Sequence, residues 1–166
     1  AALALGRLAD YRSNAVLGQA LTDSDRGVRT LAEAAIERLW HRVGTPAEQR
    51  RLSGIAEQLE DRDYEHAAQL AGRLIQQSPW IAQAWYQRGV AYFRLGQYEA
   101  AVRDCHQALE INAYHFRACA VMGQSYLAQN NLISALESFR RTLRLNPGLE
   151  DVRAQVIRLQ RTLKKD

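Results

Sequence analysis

The residues that could support catalysis or metal binding are few and scattered. No two of the histidines and cysteines have the spacing of paired metal ligands, and two cysteines are too few for a disulfide framework. These residues are His41, His66, His106, His115, Cys105 and Cys119. We therefore predict structural or solvent-exposed histidines and buried thiols.

Acidic residues cluster at Asp61, Asp63 and Glu65. A helix is predicted to begin here, and the helix dipole favours acids at such a position without any bound cation. The glycines are too far apart to form a phosphate-binding loop, and no serine lies in the sequence of a nucleophile elbow. We predict no catalytic residue, no metal site and no cofactor, so the chain is not expected to be an enzyme.

The sequence matches itself when it is shifted by 34 residues. Residues 82–115 and 116–149 place the same residue types at the same offsets, and residues 48–81 match them more weakly. Each period contains two apolar stretches at helical spacing, separated by Gly96 or Asn130, both of which tolerate the left-handed conformation of a helix end. Each period therefore predicts an antiparallel helix pair, and the pairs must stack to bury their apolar faces.

The recurring residues resemble the signature of the tetratricopeptide repeat (TPR) family. In the middle period they are Trp85, Gly89, Tyr92, Gly96, Tyr98, Ala101, Ala108 and Leu109. The resemblance implies three TPR hairpins within residues 44–149: a degenerate one at 48–81, then 82–115 and 116–149. Residues 150–166 predict one C-terminal helix that caps the stack, with acids in its first turn and lysines in its last.

Residues 1–43 lack this pattern and instead resemble about one and a half HEAT repeats, through an Asp-x-Asp turn, a Val-Arg pair and a helical Ala and Leu pattern. Asp25 is the predicted N-cap of a helix from Arg26 to about His41. Its predicted apolar face is Val28, Leu31, Ala32, Ala35, Ile36 and Leu39. We expect an all-α, right-handed α-solenoid of stacked hairpins, HEAT-like and then TPR, packed side by side.

In TPR stacks the first helix of each hairpin lines a concave groove. The predicted peptide-binding residues of this groove are Leu52, Leu59, Tyr86, Val90, Phe93, Arg94, Arg117, Gln124 and Leu127. Such an apolar surface suits an amphipathic helix or an extended segment, with Arg94 or Arg117 binding a carboxylate. The family's clamp for chaperone C-terminal tails is not expected, because only Arg117 suits its chemistry.

These features predict a non-catalytic scaffold that binds another protein, as part of a longer adaptor or assembly factor. Two alternatives stay open: self-association or a spacer role, with the groove covered by the same chain or by a second copy, and binding of RNA or an acidic partner. The last would use basic residues after Glu137, among them Arg140, Arg141 and Arg144, where the net charge of +4 is concentrated.

The sequence contains no apolar run long enough to cross a membrane. It opens as Ala-Ala-Leu-Ala-Leu-Gly, which resembles the interior of a helix, so we expect a fragment of a longer protein. Any targeting signal would then lie outside this sequence. Composition favours the cytoplasm or an organellar stroma.

Overall fold

A computed structural model of the chain describes residues 13–164, and these residues form helices and turns without a strand. The predictions for residues 1–12 and 165–166 lie outside the described part. Within it, nine helical segments follow one another: α1 (13–20), α2 (Arg26–His41), α3 (Pro46–Glu60), α4 (Tyr64–Gln77), α5 (Ala82–Arg94), α6 (Tyr98–Ile111), α7 (Phe116–Ala128), α8 (Leu132–Leu145) and α9 (Glu150–Thr162). The predicted all-α solenoid is confirmed.

The turn inside each hairpin has the same structure. Arg62, Gly96 and Asn130 have φ angles of 63°, 75° and 58°, which is the left-handed conformation predicted for the last two. The residue after each of them donates its backbone N–H to the carbonyl five residues earlier, at 2.9 Å in all three turns. This bond satisfies carbonyls at the end of the first helix, so the 34-residue period of the sequence is also a period of the backbone.

Small residues let the two helices of a hairpin approach closely. A Cβ atom on Gly89 would lie 2.7 Å from Cys105 Sγ and 3.3 Å from the Ala101 carbonyl oxygen. A Cβ on Gly123 would lie 2.6 Å from the ring of Phe139. The distances of 2.7 Å at Gly89 and 2.6 Å at Gly123 are shorter than real Cβ contacts. Glycine at these positions therefore lets α5 pack closely on α6, and α7 on α8.

The C-terminal helix α9 covers the last hairpin. Its first turn carries Glu150 and Asp151, which suit the positive end of the helix dipole. Three apolar residues of α9 are buried in a cluster with Ala135, Leu136 and Phe139 of α8; they are Val152, Val156 and Leu159. Its other face is exposed and mostly polar, with Ile157 as an apolar residue that is 43% exposed.

Residues 13–43 are here called the N-terminal arm. Within it, α2 begins at Arg26, as predicted. Asp25 caps the helix by accepting a hydrogen bond from the Val28 N–H at 3.1 Å. After the arm, Thr45 and Glu48 form the reciprocal hydrogen bonds of a capping box at the start of α3. These local signals determine where α2 and α3 begin.

The buried face of α2 differs from the predicted one. Ala32, Ile36 and Trp40 are buried at four-residue spacing, whereas Leu31 is 72% exposed. The reason is the position of the arm, since its core cluster includes Phe116 at the start of α7. We expected the arm to extend the stack side by side with the hairpins. Instead, α2 lies across the first helices of the hairpins.

Candidate functional site

A cavity of about 310 Å³ lies between the arm and the first helices of the three hairpins. Helices α3, α5 and α7 form its floor, and α2 forms one wall. The lining residues are Glu37, Trp40, His41, Ala56, Leu59, Glu60, Gln83, Tyr86, Gln87, Val90 and Arg117. Four of the nine predicted groove residues, Leu59, Tyr86, Val90 and Arg117, are therefore brought together here.

The other predicted groove residues lie outside this cavity. Leu52 is fully buried in the core between α3 and α4, so its side chain is not on the groove, and its prediction as a binding residue is corrected. Phe93 and Leu127 are half-buried, and Arg94 and Gln124 are exposed. Because α7 rises about 1.5 Å per residue, Gln124 lies roughly 10 Å farther along the groove than Arg117, towards the ends of the first helices.

Arg117 has a partner within the chain instead of an open carboxylate site. Its Nε donates to Glu37 Oε1 at 2.6 Å, and its Nη2 lies 3.5 Å from Glu33 Oε1. Both carboxylates belong to α2, so the arm supplies the negative charge that the sequence assigned to a ligand. One charge-assisted hydrogen bond and one ion pair thereby hold α2 against α7.

Aromatic rings form the apolar part of the same contact. Trp40 stacks on His115 with ring centroids 4.1 Å apart and contacts Phe116 at 5.2 Å. Tyr86 contacts the His115 ring at 4.7 Å. Trp40 is absent from the predicted apolar face of α2, although its position four residues after Ile36 places it on the same side of the helix. These rings make the arm a packed part of the domain.

A chain of hydrogen bonds connects the arm to α5 and α7 and defines two histidine tautomers. His115 Nδ1 accepts from the Ala118 N–H at 3.3 Å, so the ring proton lies on Nε2 and is donated to Gln83 Oε1 at 3.1 Å. Gln83 Nε2 donates to His41 Nε2 at 3.1 Å, and His41 Nδ1 donates to the Glu37 carbonyl at 3.0 Å. Burial lowers the pKa of His115 to about 3, so its ring is neutral at pH 7.

Gln87 is a lining residue of the cavity whose side-chain oxygen is buried without a donor. Its Nε2 donates to the Leu52 carbonyl at 3.1 Å, whereas its Oε1 has no hydrogen-bond partner. Gln87 is only 2% exposed, and an unsatisfied buried acceptor is costly. Beside it, burial raises the pKa of Tyr86 to about 12, so the phenol keeps its proton.

Within residues 13–164, no group of three or more His, Cys, Asp or Glu side chains could hold a metal ion. Asp63 of the predicted acidic cluster caps α4 by accepting from the His66 N–H at 3.2 Å. Cys105 and Cys119 are free buried thiols, and burial raises the pKa of Cys119 to about 11. None of the helices in this described part is long and apolar enough to cross a membrane.

A second cavity, of about 480 Å³, lies between α7 and α8. Arg140, Arg141 and Arg144 contribute to it, with Glu137 as its one acidic residue. All three arginines are exposed, and none forms an ion pair within the described residues. The basic residues singled out in the sequence therefore surround one concave surface, on the second helix of the last hairpin.

Sequence comparisons agree with this fold. The family model of the tetratricopeptide repeat matches residues 82–115, and a second model of the same repeat matches 116–149. A 64-residue stretch is 36% identical to Tetratricopeptide repeat protein 37 of Xenopus laevis, covering 39% of this chain and 4% of that protein. A 97-residue stretch is 31% identical to Protein SGT1 homolog of Homo sapiens, covering 58% of this chain and 27% of that protein. The chain thus spans a small part of these relatives.

Solved structures share the architecture. The first TPR of Spaghetti (RPAP3) bound to an HSP90 peptide superposes with a TM-score of 0.69 at 20% identity, over 74% of this chain and 97% of that one. The second TPR domain of human RPAP3, in complex with an HSP70 peptide, gives 0.61 at 26% identity, over 68% and 92%. The Yersinia enterocolitica chaperone SycD with a YopD peptide gives 0.68 at 15% identity, over 75% and 98%. Residues 82–149 of this chain are two tetratricopeptide repeats.

Proposed function

We propose that this chain is a non-catalytic protein-interaction module that holds a segment of a partner protein in the groove formed by α3, α5 and α7. The observation that carries this proposal is the cavity on the groove floor, where Leu59, Val90 and the ring of Tyr86 present apolar surface beside polar groups. A concave, mostly apolar site with a few fixed polar groups is the usual form of a binding site.

The groove continues beyond the cavity. Phe93 and Arg94 follow Val90 by about one turn of α5, and Gln124 and Leu127 lie farther along α7. A bound helix or extended segment would therefore contact three first helices in succession. Similar structures include TPR domains bound to peptides of HSP90 and HSP70 and a secretion chaperone bound to a peptide of YopD, which supports the same class of function here.

Variants that block the open part of the groove test this proposal. Gln124→Trp places a large side chain there without removing any core atom, and Phe93→Glu adds a charge to the apolar surface. Ile133→Glu is the matched control, because Ile133 is an apolar residue of α8 that is 65% exposed and lies outside the groove. We expect proteins captured by the wild-type chain to be lost from both groove variants and kept by the control. Equal capture by all variants would exclude the groove as the binding site.

The exposed arginines around the second cavity support a second candidate, binding of RNA or an acidic partner. It predicts an affinity that falls steeply with salt and is weakened by Arg140→Gln or Arg144→Gln. Titration of fluorescent RNA at low and at high ionic strength measures both effects. An affinity that is unchanged by salt and by either substitution would remove this candidate.

Three finer statements remain proposals of our own. We infer a HEAT-like origin for residues 1–43 from their sequence pattern. Self-association of the stack is tested by light scattering, for which a concentration-independent monomer mass would be the negative result. A cytoplasmic or stromal location is tested by imaging the full-length protein in its own cell.

A further inference from the structure

The cavity between the arm and the groove floor has a charge opposite to that needed for an acidic ligand. Its only cationic group is Arg117, and α2 already pairs this residue with Glu37 and Glu33. The remaining charged lining residue is Glu60, a carboxylate without an ion-pair partner among residues 13–164. The lining thus contains two carboxylates and one guanidinium, and Glu33 adds a third carboxylate beside that guanidinium, so the local field favours a cation.

Hydrogen-bonding capacity points in the same direction. The N–H groups of Trp40 and Gln83 are committed within the protein, to Asn14 at 2.9 Å and to His41 at 3.1 Å. Two nitrogens of Arg117 face carboxylates. The acceptor that remains accessible is the carboxylate of Glu60, an exposed residue of the lining. A cationic donor on a ligand complements this carboxylate with a charge-assisted hydrogen bond.

The apolar part of the lining suits the stem of a long basic side chain. Ala56, Leu59 and Val90 supply aliphatic surface, and the rings of Trp40 and Tyr86 stand beside them. Lysine and arginine bury their methylene groups on such a surface while the charged end reaches polar groups, and an aromatic face adds attraction for the cation. About 310 Å³ is at the small end of the range for ligand sites.

Resting on the function proposed above, we propose that this cavity receives a lysine or arginine side chain of the segment held in the groove. The preference is the reverse of that of a clamp for acidic peptides such as the HSP90 peptide SRMEEVD seen with the first TPR of Spaghetti. In this chain the arm satisfies the cation that an acidic terminus would need, and its carboxylates add negative charge.

Selection of peptides tests this preference even though the partner is unidentified. Random 12-residue peptides displayed on phage are selected on the immobilised wild-type chain, and binding of synthetic winners is measured by fluorescence anisotropy. We expect a basic residue at a recurrent position among apolar ones. Replacing a lysine there by norleucine, which keeps the stem and removes the charge, is expected to weaken binding about fivefold to tenfold.

A charge reversal on the protein locates the interaction. Glu60→Lys places a cation in the last turn of α3, where the helix dipole favours it, so the substitution preserves the fold. It is expected to weaken the lysine peptide about tenfold and to have little effect on the norleucine peptide. Glu110→Lys makes the same charge change at an exposed residue in the last turn of α6, a helix that contributes no residue to the cavity, and is the control. We expect a change of less than about twofold because salt screens distant charges.

The outcomes separate this inference from the proposed function. Two results would overturn the cation preference: selected peptides without a recurrent basic residue, or peptides that bind Glu60→Lys as tightly as wild type. If those peptides are still lost from Gln124→Trp, the groove function stands. Failure to select any peptide above bare matrix, or binding indifferent to Gln124→Trp, would overturn both.

Discussion

Protonation of His115 should destabilise the domain as the pH falls. The ring is fully buried against Trp40, and burial lowers the pKa of His115 from 6.5 to about 3. The unfolded chain therefore binds a proton at pH 5 that the folded chain does not. Stability rises with pH wherever the unfolded state holds more protons, so this contribution is complete above pH 6.5 and is lost progressively as the pH falls towards 3.

The size of the effect follows from the two pKa values. Between pH 7 and pH 5 the unfolded histidine goes from mostly neutral to protonated, while the folded ring stays neutral. The span from the unfolded pKa of 6.5 to pH 5, at about 1.4 kcal/mol per pH unit, gives roughly 2 kcal/mol of lost stability. The positive charge of nearby Arg117 also lowers this pKa.

The measurement compares urea unfolding at pH 7 and pH 5, followed by circular dichroism, for wild type and His115→Asn. Asparagine can replace the histidine as the helix cap of α7 but does not titrate. The free energy of unfolding of the wild type should fall by about 2 kcal/mol more than that of the variant. Equal losses in the two proteins would refute the argument, as would NMR signals of the His115 ring that titrate near pH 6.

Three further predictions concern packing, backbone conformation and thiol reactivity. Gly123→Ala should melt about 2 to 10 °C below Gly54→Ala in thermal unfolding, because a Cβ at Gly123 clashes with a buried ring and one at Gly54 meets nothing within 4 Å; identical melting temperatures would contradict the packing. Asn130→Ala should cost about 1 kcal/mol and Asn130→Gly almost nothing in urea unfolding, since φ is 58° there. Cys105 and Cys119 should react with Ellman's reagent about a hundredfold more slowly in the native protein than in guanidinium, because burial raises the pKa of both thiols; native reaction at the unfolded rate would place them at the surface.

The repeats could be predicted from the sequence because each hairpin depends on local residue types. Gly96 and Asn130 mark the left-handed turns, and Gly89 marks the close approach of α5 and α6. The turn of the degenerate hairpin at residues 48–81 is harder to predict from residue types. Its turn residue is Arg62, which has the same positive φ without a side chain typical of that conformation. There the period of the repeat, and not the residue type, predicts the turn.

The position of the arm could not be read from the sequence. An amphipathic helix buries its apolar stripe on any complementary surface, and the pattern of α2 does not distinguish the end of the stack from its groove. The contacts that decide are long-range, such as Glu37 with Arg117, which lie 80 residues apart in the chain. The wrong prediction for Leu52 has the same cause, because spacing along a helix does not show what a side chain packs against. Leu52 has the spacing of a groove residue and yet packs in the core between α3 and α4.

The polarity of the groove is therefore a property of the arm as much as of the repeats. Without Glu33 and Glu37, the charged residues of the cavity would be Glu60 and a free Arg117, and the floor would have no preference for a cation. With them, Arg117 is neutralised and the carboxylate of Glu60 remains. Repeats of the same family can in this way present similar apolar floors to ligands of opposite charge, since a helix outside the repeat supplies the charges that choose between them.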